Sequence, residues 1–444
     1  MQTFRNTTSN LRLLPRFAPL YLPRTPHIPS RRTLSTMSIA DADLKSLTTQ
    51  VKNKFDIAIE HGDAFFYPSE RITLQESEQT GVLWQIRTVP ALLKKPKAND
   101  SASNDDHTKK QEKPQQNKAD VFAPPYVPNL HVKDLGEHTL LLNKFCVVPQ
   151  HFLMVTREFA SQDLPPSPQT LSLAYRIVSA HRATNGTELL AFYNCGATSG
   201  ASQPHRHLQF VQCPPLDTTS SEAIDSGRLS EADQDKITQT DYKIPVESLL
   251  ERIEKDGKEQ DSVHALPLAW QHFVVLLNPT AQMNKVEPEM ERYIGNKFMG
   301  LLDALFRARM FASDEQKKKN QQQQQNATRP AFNILITKRA MHLIPRSQEE
   351  YTELPGKSTS QGKIGNLSIN SLGKCQAQPD VSLNTIRSLR DRGSYAGFML
   401  TRSLEEQDAL KSISVGGVEE VLKLTGVPPV QDVTVQTGLP TTNM

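Results

Sequence analysis

Cysteine is scarce in this sequence, and its few cysteines lack the spacing of a metal site or a disulfide framework. Four occur among 444 residues, at positions 146, 195, 213 and 375, without a C-x-x-C pair. We therefore expect reduced thiols, as in proteins of a reducing compartment. A zinc ribbon and a disulfide scaffold are excluded.

Long apolar runs and a strong net charge are also missing. No apolar run approaches the ~18 residues that a membrane-spanning helix needs, and the net charge is only +3. A balance this small does not indicate nucleic acid. We expect a soluble protein without membrane or nucleic-acid partners, long enough for one large or two ordinary hydrophobic cores.

Acidic residues are absent from the first 40 positions, where six arginines and several Ser and Thr residues occur. This bias is typical of a mitochondrial transit peptide. We therefore place residues 1–40 outside the fold, as a transit peptide or a disordered N-terminus, and predict mitochondrial import. A start at Met37 is the alternative, and it would give a cytoplasmic or nuclear protein.

Several stretches have too few apolar residues to form a core. Residues 98–119, 315–328 and about 351–379 are rich in Asn, Gln, Lys, Ser and Gly, and we predict disordered or flexible insertions. Residues 216–260 are predicted to be a polar excursion that carries little core. The expected organisation is an N-terminal region over 41–215, this excursion, a C-terminal region over 261–430 and a tail over 431–444.

The remaining segments predict helices and strands without regular alternation. Apolar spacing and capping residues predict helices over Leu44–His61, Ser167–Ala183, Glu287–Phe311 and Val418–Leu424. Strands are predicted over Val82–Val89, His138–Val148, His151–Thr156, Glu188–Asn194, Phe210–Gln212, His264–Leu277 and, as two strands, within Phe332–Ser347. Such an order argues against a doubly wound parallel sheet. We predict an α+β fold with a mainly antiparallel sheet flanked by helices.

The densest group of candidate catalytic residues lies in NCGATSGASQPHRHLQFVQ, Asn194 to Gln212. A strand-like run ends at Asn194, and a loop of small and polar residues leads to His205, His207 and Gln209. If this part of the chain is extended, the three side chains share one face at intervals of roughly 6.6 Å. The glycines of the loop can turn tightly and bring backbone N–H groups close to an anion.

This layout suits nucleotidyl transfer through a histidine. A neutral imidazole can attack phosphorus near neutral pH because its reference pKa is about 6.5. The N–P bond splits one difficult displacement into two easier ones, and nearby donors stabilise charge on the phosphoryl oxygens. The same spacing also suits a metal pair or two structural histidines. From the residues alone these alternatives stay open.

The segment GATSGASQPHRHLQ resembles the active-site segment of the histidine-triad superfamily, in its H-x-H-x-Q transferase branch. It is especially similar to the fungal ATP adenylyltransferases, also called diadenosine tetraphosphate phosphorylases. The segments Leu140–Phe159, Phe332–Ser347 and Gly393–Arg402 resemble matching segments of that family in the same order. The resemblance covers most of the chain after about residue 45.

The resemblance implies a histidine-triad-like fold and an activity. The enzyme would convert diadenosine tetraphosphate and phosphate to ATP and ADP, reversibly, through a histidine–AMP intermediate. His207 would be the nucleophile, and His205 would orient it or contact the phosphate chain. Gln209 cannot titrate but can hydrogen-bond a phosphoryl oxygen, which favours a transferase over a hydrolase.

The other site residues are also implied by the resemblance, in three groups. Those expected to hold the α-phosphate and ribose are Asn194, Gly200, Ala201, Ser202 and Gln203. Those expected to contact the nucleotide or the distal phosphates are Lys95, Asn143 and Lys144. Those expected at the second nucleoside or the acceptor phosphate are Asn333, Phe398 and Arg402, where the family pattern leads us to expect a lysine at 402.

Other functions remain possible at this point. A dinucleoside polyphosphate hydrolase would not need added phosphate, and a nucleotide-binding sensor would have lost the chemistry. A galactose-1-phosphate uridylyltransferase would want His-Pro-His, whereas position 206 is arginine. A zinc module could use His205 and His207. We expect no dedicated metal site and no tightly bound cofactor, Mg²⁺ only with the polyphosphate substrate, and a monomer.

Overall fold

The computed structural model describes residues 39–92, 120–185, 188–213, 244–255, 261–283, 286–311, 330–348, 394–401, 403–411, 418–430 and 435–436. The helices are α1 Asp41–Glu60, α2 Pro168–Asn185, α3 Leu250–Lys255, α4 Glu287–Phe311, α5 Leu404–Lys411 and α6 Val418–Thr425. The strands of the N-terminal half are β1 Phe65–Phe66, β2 Arg71–Glu76, β3 Leu83–Thr88, β4 His131–Leu135, β5 His138–Leu142, β6 Phe145–Cys146, β7 Phe152–Thr156, β8 Glu188–Cys195 and β9 His207–Cys213. Those of the C-terminal half are β10 Ser262–Ala265, β11 Phe273–Leu276, β12 Phe332–Ile336, β13 Ala340–Pro345, β14 Phe398–Thr401 and β15 Val435–Gln436.

One long sheet joins strands from both halves of the chain. Its order is β15-β10-β11-β13-β12-β8-β9-β7-β5-β4, and every neighbouring pair is antiparallel. The two halves meet where β8 pairs with β12, with Asn194 opposite Asn333. The predicted α+β class with a mainly antiparallel sheet is confirmed.

Long helices cover one face of this sheet. The predicted apolar stripe of α2, Leu171, Ala174, Ile177 and Val178, is buried in a core that also takes side chains from α1 and α4. α2 begins where predicted, since the Ser167 hydroxyl accepts a hydrogen bond from the Thr170 N–H at 3.2 Å. The helix predicted over Glu287–Phe311 has those bounds in the structure.

A smaller layer packs on the opposite face. Here β14, β3 and β2 form a three-stranded sheet, in which β14 runs parallel to β3 and β2 antiparallel to it. Trp84 of β3 and Trp270 lie with ring centroids 5.9 Å apart in a second hydrophobic core. Farther along the same face, Phe122 and Tyr126 pack on side chains of β5 and β7. This region carries the candidate site.

Two of the predicted strands are wrong in extent. The run His138–Val148 ends at Leu142, because the side-chain oxygen of Asn143 accepts the Phe145 N–H at 3.1 Å and turns the chain. Phe145 and Cys146 then pair with β1 instead. The expected hairpin remains, since β5 pairs with β7.

The run His264–Leu277 is likewise not one strand. It contains the end of β10 and all of β11, which pair with each other. Between them the Leu266 N–H donates to the His272 carbonyl at 2.9 Å and closes a loop. Pro267 lies in that loop and has no N–H for a sheet ladder.

The polar excursion predicted over 216–260 carries more core than expected. Residues Ile244, Val246, Leu249, Leu250 and Ile253 are buried in the second core. Their spacing puts them on one side of a short helical stretch, which the polar composition of the surrounding residues masked. Within the described residues, no helix is both long and apolar enough to cross a bilayer.

Candidate active site

The strand β9 presents His207 and Gln209 on one face of the main sheet. Leu208 and Phe210 point to the helix-covered core, and Val211 belongs to the core of the opposite face. The alternation predicted for this run is therefore observed from His207 onward. The strand begins at His207, so His205 lies just outside it, in an isolated bridge with Ser161.

The imidazole of His207 has a defined tautomer. Its Nδ1 lies 2.8 Å from the carbonyl oxygen of His205. A carbonyl can only accept, so Nδ1 carries a proton, and in the neutral ring the lone pair is on Nε2. The ring lies 5.0 Å from that of Phe122 and is buried. This is the form in which an imidazole can act as a nucleophile.

The ring of His205 is held by two neighbours. Its Nδ1 lies 2.7 Å from a carboxylate oxygen of Asp120, and its Nε2 lies 2.9 Å from the hydroxyl of Thr156. Both ring nitrogens are thus engaged inside the protein. His205 acts on His207 through its backbone carbonyl, and its ring anchors that carbonyl.

A buried glutamine holds β8 and β9 where the two strands separate. The side-chain oxygen of Gln162 accepts the His207 N–H at 2.8 Å. Its amide nitrogen donates to the carbonyl of Asn194 at 2.8 Å and to that of His207 at 3.3 Å. The strand pair would otherwise leave these groups without partners at the point where the site opens.

Gln209 is hydrogen-bonded to a buried histidine that the motif did not include. Its side-chain oxygen lies 3.1 Å from Nε2 of His151, and Nδ1 of His151 lies 3.0 Å from the amide nitrogen of Asn143. Burial lowers the pKa of His151 to about 3. The ring is therefore neutral at all ordinary pH values.

The loop between β8 and β9 is bent by two glycines. Gly196 and Gly200 have φ values of 86° and 90°, which residues other than glycine rarely adopt. A short 3₁₀ turn, Ala197–Ser199, lies between them. Ala201, Ser202 and Gln203 follow and are partly exposed, so the loop reaches solvent beside His207.

Asparagines from the two halves of the chain meet beside this loop. The amide nitrogen of Asn333 donates to the side-chain oxygen of Asn194 at 2.6 Å and to the Ser199 carbonyl at 3.1 Å. Arg346 donates to the side-chain oxygen of Asn333 at 2.9 Å. The fold thus brings together the two asparagines that the resemblance implied, and Arg346 orients one of them.

Phe398 lines a mainly apolar pocket farther along the same face of the sheet. Val148, Val211, Cys213 and Arg87 contribute to its wall. Val211 is two residues beyond Gln209 on β9, so the pocket lies on the strand face that carries His207. Burial raises the pKa of the Cys213 thiol far above its usual value, so this cysteine is a packing residue.

The remaining predicted residues fall into two groups. Lys144 follows Asn143, is exposed, and holds its ammonium 5.6 Å from the ring centroid of Phe145. Lys95 and Arg402 lie outside the described residues. Among the residues that the structure describes, no group of three or more His, Cys, Asp or Glu side chains could hold a metal ion.

Four residues of this site were not predicted: Asp120, His151, Gln162 and Arg346. His151 stood in the sequence as the first residue of an otherwise apolar predicted strand, His151–Thr156, which could have drawn attention. Arg346 was a cation inside the predicted run Phe332–Ser347, and in the structure it directly follows β13. Asp120 and Gln162 gave no signal, because their contacts exist only after the chain has folded.

Comparison with known proteins gives this arrangement its class. The sequence-family model for the Ap4A phosphorylase N-terminal domain matches residues 38–226. The family model for the ATP adenylyltransferase C-terminal domain matches residues 266–428. The sheet that carries His207 is therefore that of a nucleotidyltransferase. The chain belongs to the Ap4A phosphorylase and ATP adenylyltransferase family, where Ap4A is diadenosine tetraphosphate.

Individual relatives agree with this family. Diadenosine 5',5'''-P1,P4-tetraphosphate phosphorylase 2 of Saccharomyces cerevisiae is 26% identical over 341 residues, 74% of this chain and 86% of that protein. Protein APA1 of the same yeast is 27% identical over 253 residues, 55% of this chain and 75% of that protein. The crystal structure of yeast Ap4A phosphorylase Apa2 in complex with Ap4A has a TM-score of 0.54 at 21% identity, covering 87% of this chain and 98% of that one. This last similarity shows a shared fold.

Proposed function

We propose that this protein catalyses the reversible phosphorolysis of Ap4A to ATP and ADP through AMP carried on His207. The observation that carries the proposal is the hydrogen bond from Nδ1 of His207 to the carbonyl of His205, 2.8 Å long. It places the lone pair on Nε2 at the start of β9, beside the glycine loop. The yeast relative named as a diadenosine tetraphosphate phosphorylase and the yeast Ap4A phosphorylase structure with Ap4A bound support the choice of substrate.

In the first step Nε2 of His207 attacks the α-phosphorus of Ap4A. The N–P bond forms while the bond from phosphorus to the bridging oxygen breaks, and ATP leaves with that electron pair. In the second step an oxygen of inorganic phosphate attacks the same phosphorus. The N–P bond breaks, the lone pair returns to Nε2, and ADP leaves. Phosphate is already ionised, so neither step needs a titrating group at position 209.

The remaining residues take positions around this reaction. Asn194 and the loop Gly200–Gln203 would hold the AMP portion, where charge develops on the phosphoryl oxygens. Asn333 was expected at the second nucleoside or the acceptor phosphate, but its hydrogen bond to Asn194 favours a place beside the AMP portion instead. The pocket at Phe398 would take the nucleoside of the leaving ATP, and its apolar wall suits a purine. Lys144, with Lys95 as a sequence prediction, would balance the charge of the distal phosphates. Arg402 stays a sequence prediction for the second nucleoside or the acceptor phosphate. Mg²⁺ would arrive with the polyphosphate, and the monomeric state stays a prediction.

Product analysis with and without inorganic phosphate tests the proposal. We expect ATP and ADP from Ap4A only when phosphate is present, and His207→Ala should lower turnover at least ~10⁴-fold. His61→Ala serves as the control, because His61 is exposed just beyond α1. AMP and ATP without phosphate would mean that water is the acceptor. Binding without turnover in the wild type would identify a nucleotide sensor instead.

A further inference from the structure

A chain of hydrogen bonds with a fixed direction runs from the backbone to Gln209. It starts at the Phe145 N–H, which can only donate and does so to the side-chain oxygen of Asn143 at 3.1 Å. The carboxamide of Asn143 is thereby oriented, and its NH₂ group faces Nδ1 of His151 at 3.0 Å. No choice between amide oxygen and nitrogen is left open at Asn143.

The orientation of Asn143 decides the tautomer of His151. Nδ1 must accept from the amide, so in a neutral ring the proton is on Nε2. A charged ring would place an N–H against the NH₂ of Asn143, and full burial opposes that charge as well. Nε2 therefore donates to Gln209, whose side-chain oxygen lies 3.1 Å away.

Because the side-chain oxygen of Gln209 accepts the bond from His151, its amide nitrogen is directed away from His151. Leu153 pairs with Gln209 and Phe152 with Phe210, so His151 lies across from Val211, beyond Gln209 as seen from His207. We therefore expect the oxygen of Gln209 to point toward His151 and away from the nucleophile. Since the two ends of a planar amide diverge, we expect the NH₂ group to face the side where His207 lies.

We propose that His151 is a positioning residue, which holds the carboxamide of Gln209 with its N–H groups toward the reacting phosphate. This inference rests on the proposed function and assigns a role in it to a residue outside the motif. It also changes the role of Asn143, which was expected to contact the nucleotide. Both ends of its carboxamide are engaged inside the protein, and it orients His151.

In the reaction, the carboxamide of Gln209 would then supply an N–H donor whose direction is fixed. Without His151, Gln209 could present its oxygen to a phosphoryl oxygen, and two acceptors would face each other. With His151 in place, the N–H donor is preorganised for the charge that grows in the transition state. Because the bond to His151 exists before substrate arrives, this orientation requires no rearrangement during the reaction.

The rate of the first half-reaction tests this role. Wild-type enzyme mixed with Ap4A without phosphate should release about one ATP per active site in a burst, as covalent catalysis requires. We expect His151→Leu to keep the burst amplitude, which reports the folded fraction, and to lower the burst rate about 10–100-fold, somewhat less than loss of a donor would. The amide of His151→Gln can donate from nearly the same place, so it should recover much of the rate.

Two controls separate positioning from support of the fold. His181→Leu removes a buried histidine whose pKa burial lowers to about 4 and which is bonded to Thr48 at 3.0 Å on the helix side. Its burst rate should stay within about twofold of the wild type. In a Gln209→Ala background, adding His151→Leu should change the rate by less than about twofold, because the effect acts through Gln209.

The outcomes are distinct. A wild type without a burst contradicts the histidine–AMP step of the proposed function, and kcat of the same variants in steady state then tests His151. A wild-type burst with an unchanged rate in His151→Leu overturns the inference alone. The inference is also overturned if His151→Leu lowers the burst rate of Gln209→Ala by the same factor as it lowers that of the wild type. His151 would then act independently of Gln209.

Discussion

The chemical form of His207 depends on neighbouring groups that bind it from inside the protein. The carbonyl of His205 fixes its tautomer, and the ring of His205 is tied to Asp120 and Thr156. Gln162 fixes its backbone through both its N–H and its carbonyl. Because a misplacement of about 1 Å can cost ~10²-fold in rate, such supports matter as much as contacts with the substrate.

Replacement of Gln162 by leucine should impair the chemistry more than binding. The change removes hydrogen bonds to His207 and Asn194 in a buried place, so β9 can shift where it starts. We expect kcat to fall about 10–100-fold with KM within about threefold, and the free energy of unfolding to fall by about 1–3 kcal/mol. Steady-state kinetics and denaturant unfolding measure both.

Gln169→Leu is the matched control for this change. Gln169 is on the exposed side of α2 and donates to Glu291 at 3.2 Å. Its loss should leave kcat unchanged. A folded Gln162→Leu enzyme with wild-type kcat would show that the strand opening is held without this side chain.

At this scale the sequence predicts reactive residues better than supporting ones. His207 and Gln209 could be predicted from the sequence because alternation along one strand is a local property. Gln162 contacts residues 32 and 45 positions away, and Asp120 contacts a residue 85 positions away. Such pairs depend on how strands and loops assemble, so neither composition nor spacing indicates them.

The residues just before α3 are joined to the main sheet by a buried hydrogen bond. Glu247 precedes α3 and is hydrogen-bonded through its carboxyl to the hydroxyl of Thr337, which follows β12. The carboxyl is almost fully buried, and burial raises its pKa to about 7. An element of the polar excursion thus attaches to the main sheet through a group that titrates near neutral pH.

The stability of the protein should therefore depend on pH through Glu247. The pKa of Glu247 in the folded protein lies above the ordinary glutamate value of 4.5. Its contribution to stability is therefore fully present below about pH 4.5 and is lost as pH rises through 7. The loss can reach about 3 kcal/mol, since a tenfold change in proton affinity is worth ~1.4 kcal/mol. Urea unfolding at pH 5 and pH 8 measures it.

Glu247→Gln gives the comparison for this prediction. The amide keeps a neutral donor and acceptor but does not titrate, so the variant should lose less stability between pH 5 and pH 8 than the wild type. Other titrating groups affect both proteins equally. Equal losses in the two proteins would contradict a raised pKa at Glu247.

The strand β14 is held against the residues before α3 by one glycine. Gly397 has a φ of 111°, and a Cβ there would lie 2.2 Å from Cβ of Pro245. Gly397→Ala should cost about 3 kcal/mol or more in the free energy of unfolding. Because Phe398 follows directly, KM for Ap4A should also rise.

Gly81→Ala separates the cost of backbone strain from the cost of the contact with Pro245. Gly81 has a φ of 72°, and a Cβ there would meet nothing within 4 Å, so only backbone strain of about 1 kcal/mol is expected. Denaturant unfolding of both variants measures the difference, which is the cost of the contact with Pro245. Equal destabilisation would mean that β14 and Pro245 separate without cost.

Element predictions succeeded where one periodic pattern ran on without a break and failed where a break of a few residues interrupted an apolar run. The helix Glu287–Phe311 carries seven turns of apolar spacing, which one sequence window can show. The loop at Pro267 within His264–Leu277 interrupts an apolar run over only a few residues. There, a hairpin and one buried strand have nearly the same composition.

Over the whole molecule, the two family regions share one sheet. β8 belongs to the segment matched by the N-terminal model and β12 to that matched by the C-terminal model, and these strands pair along five residues. Trp84 and Trp270, one from each region, lie 5.9 Å apart. Two matched models therefore do not mean two independent cores.

The described residues should accordingly unfold in one transition. Breaking the pairing of β8 with β12 would expose the inner strands of the sheet and separate Asn194 from Asn333. Neither region can therefore retain its core alone. Tryptophan fluorescence reports the contact of Trp84 with Trp270, circular dichroism reports the helices, and turnover of Ap4A reports the site. In urea the three midpoints should coincide. A fluorescence change that precedes the loss of helix would instead show that the smaller layer unfolds separately, and the two regions would then have to be treated as distinct folding units.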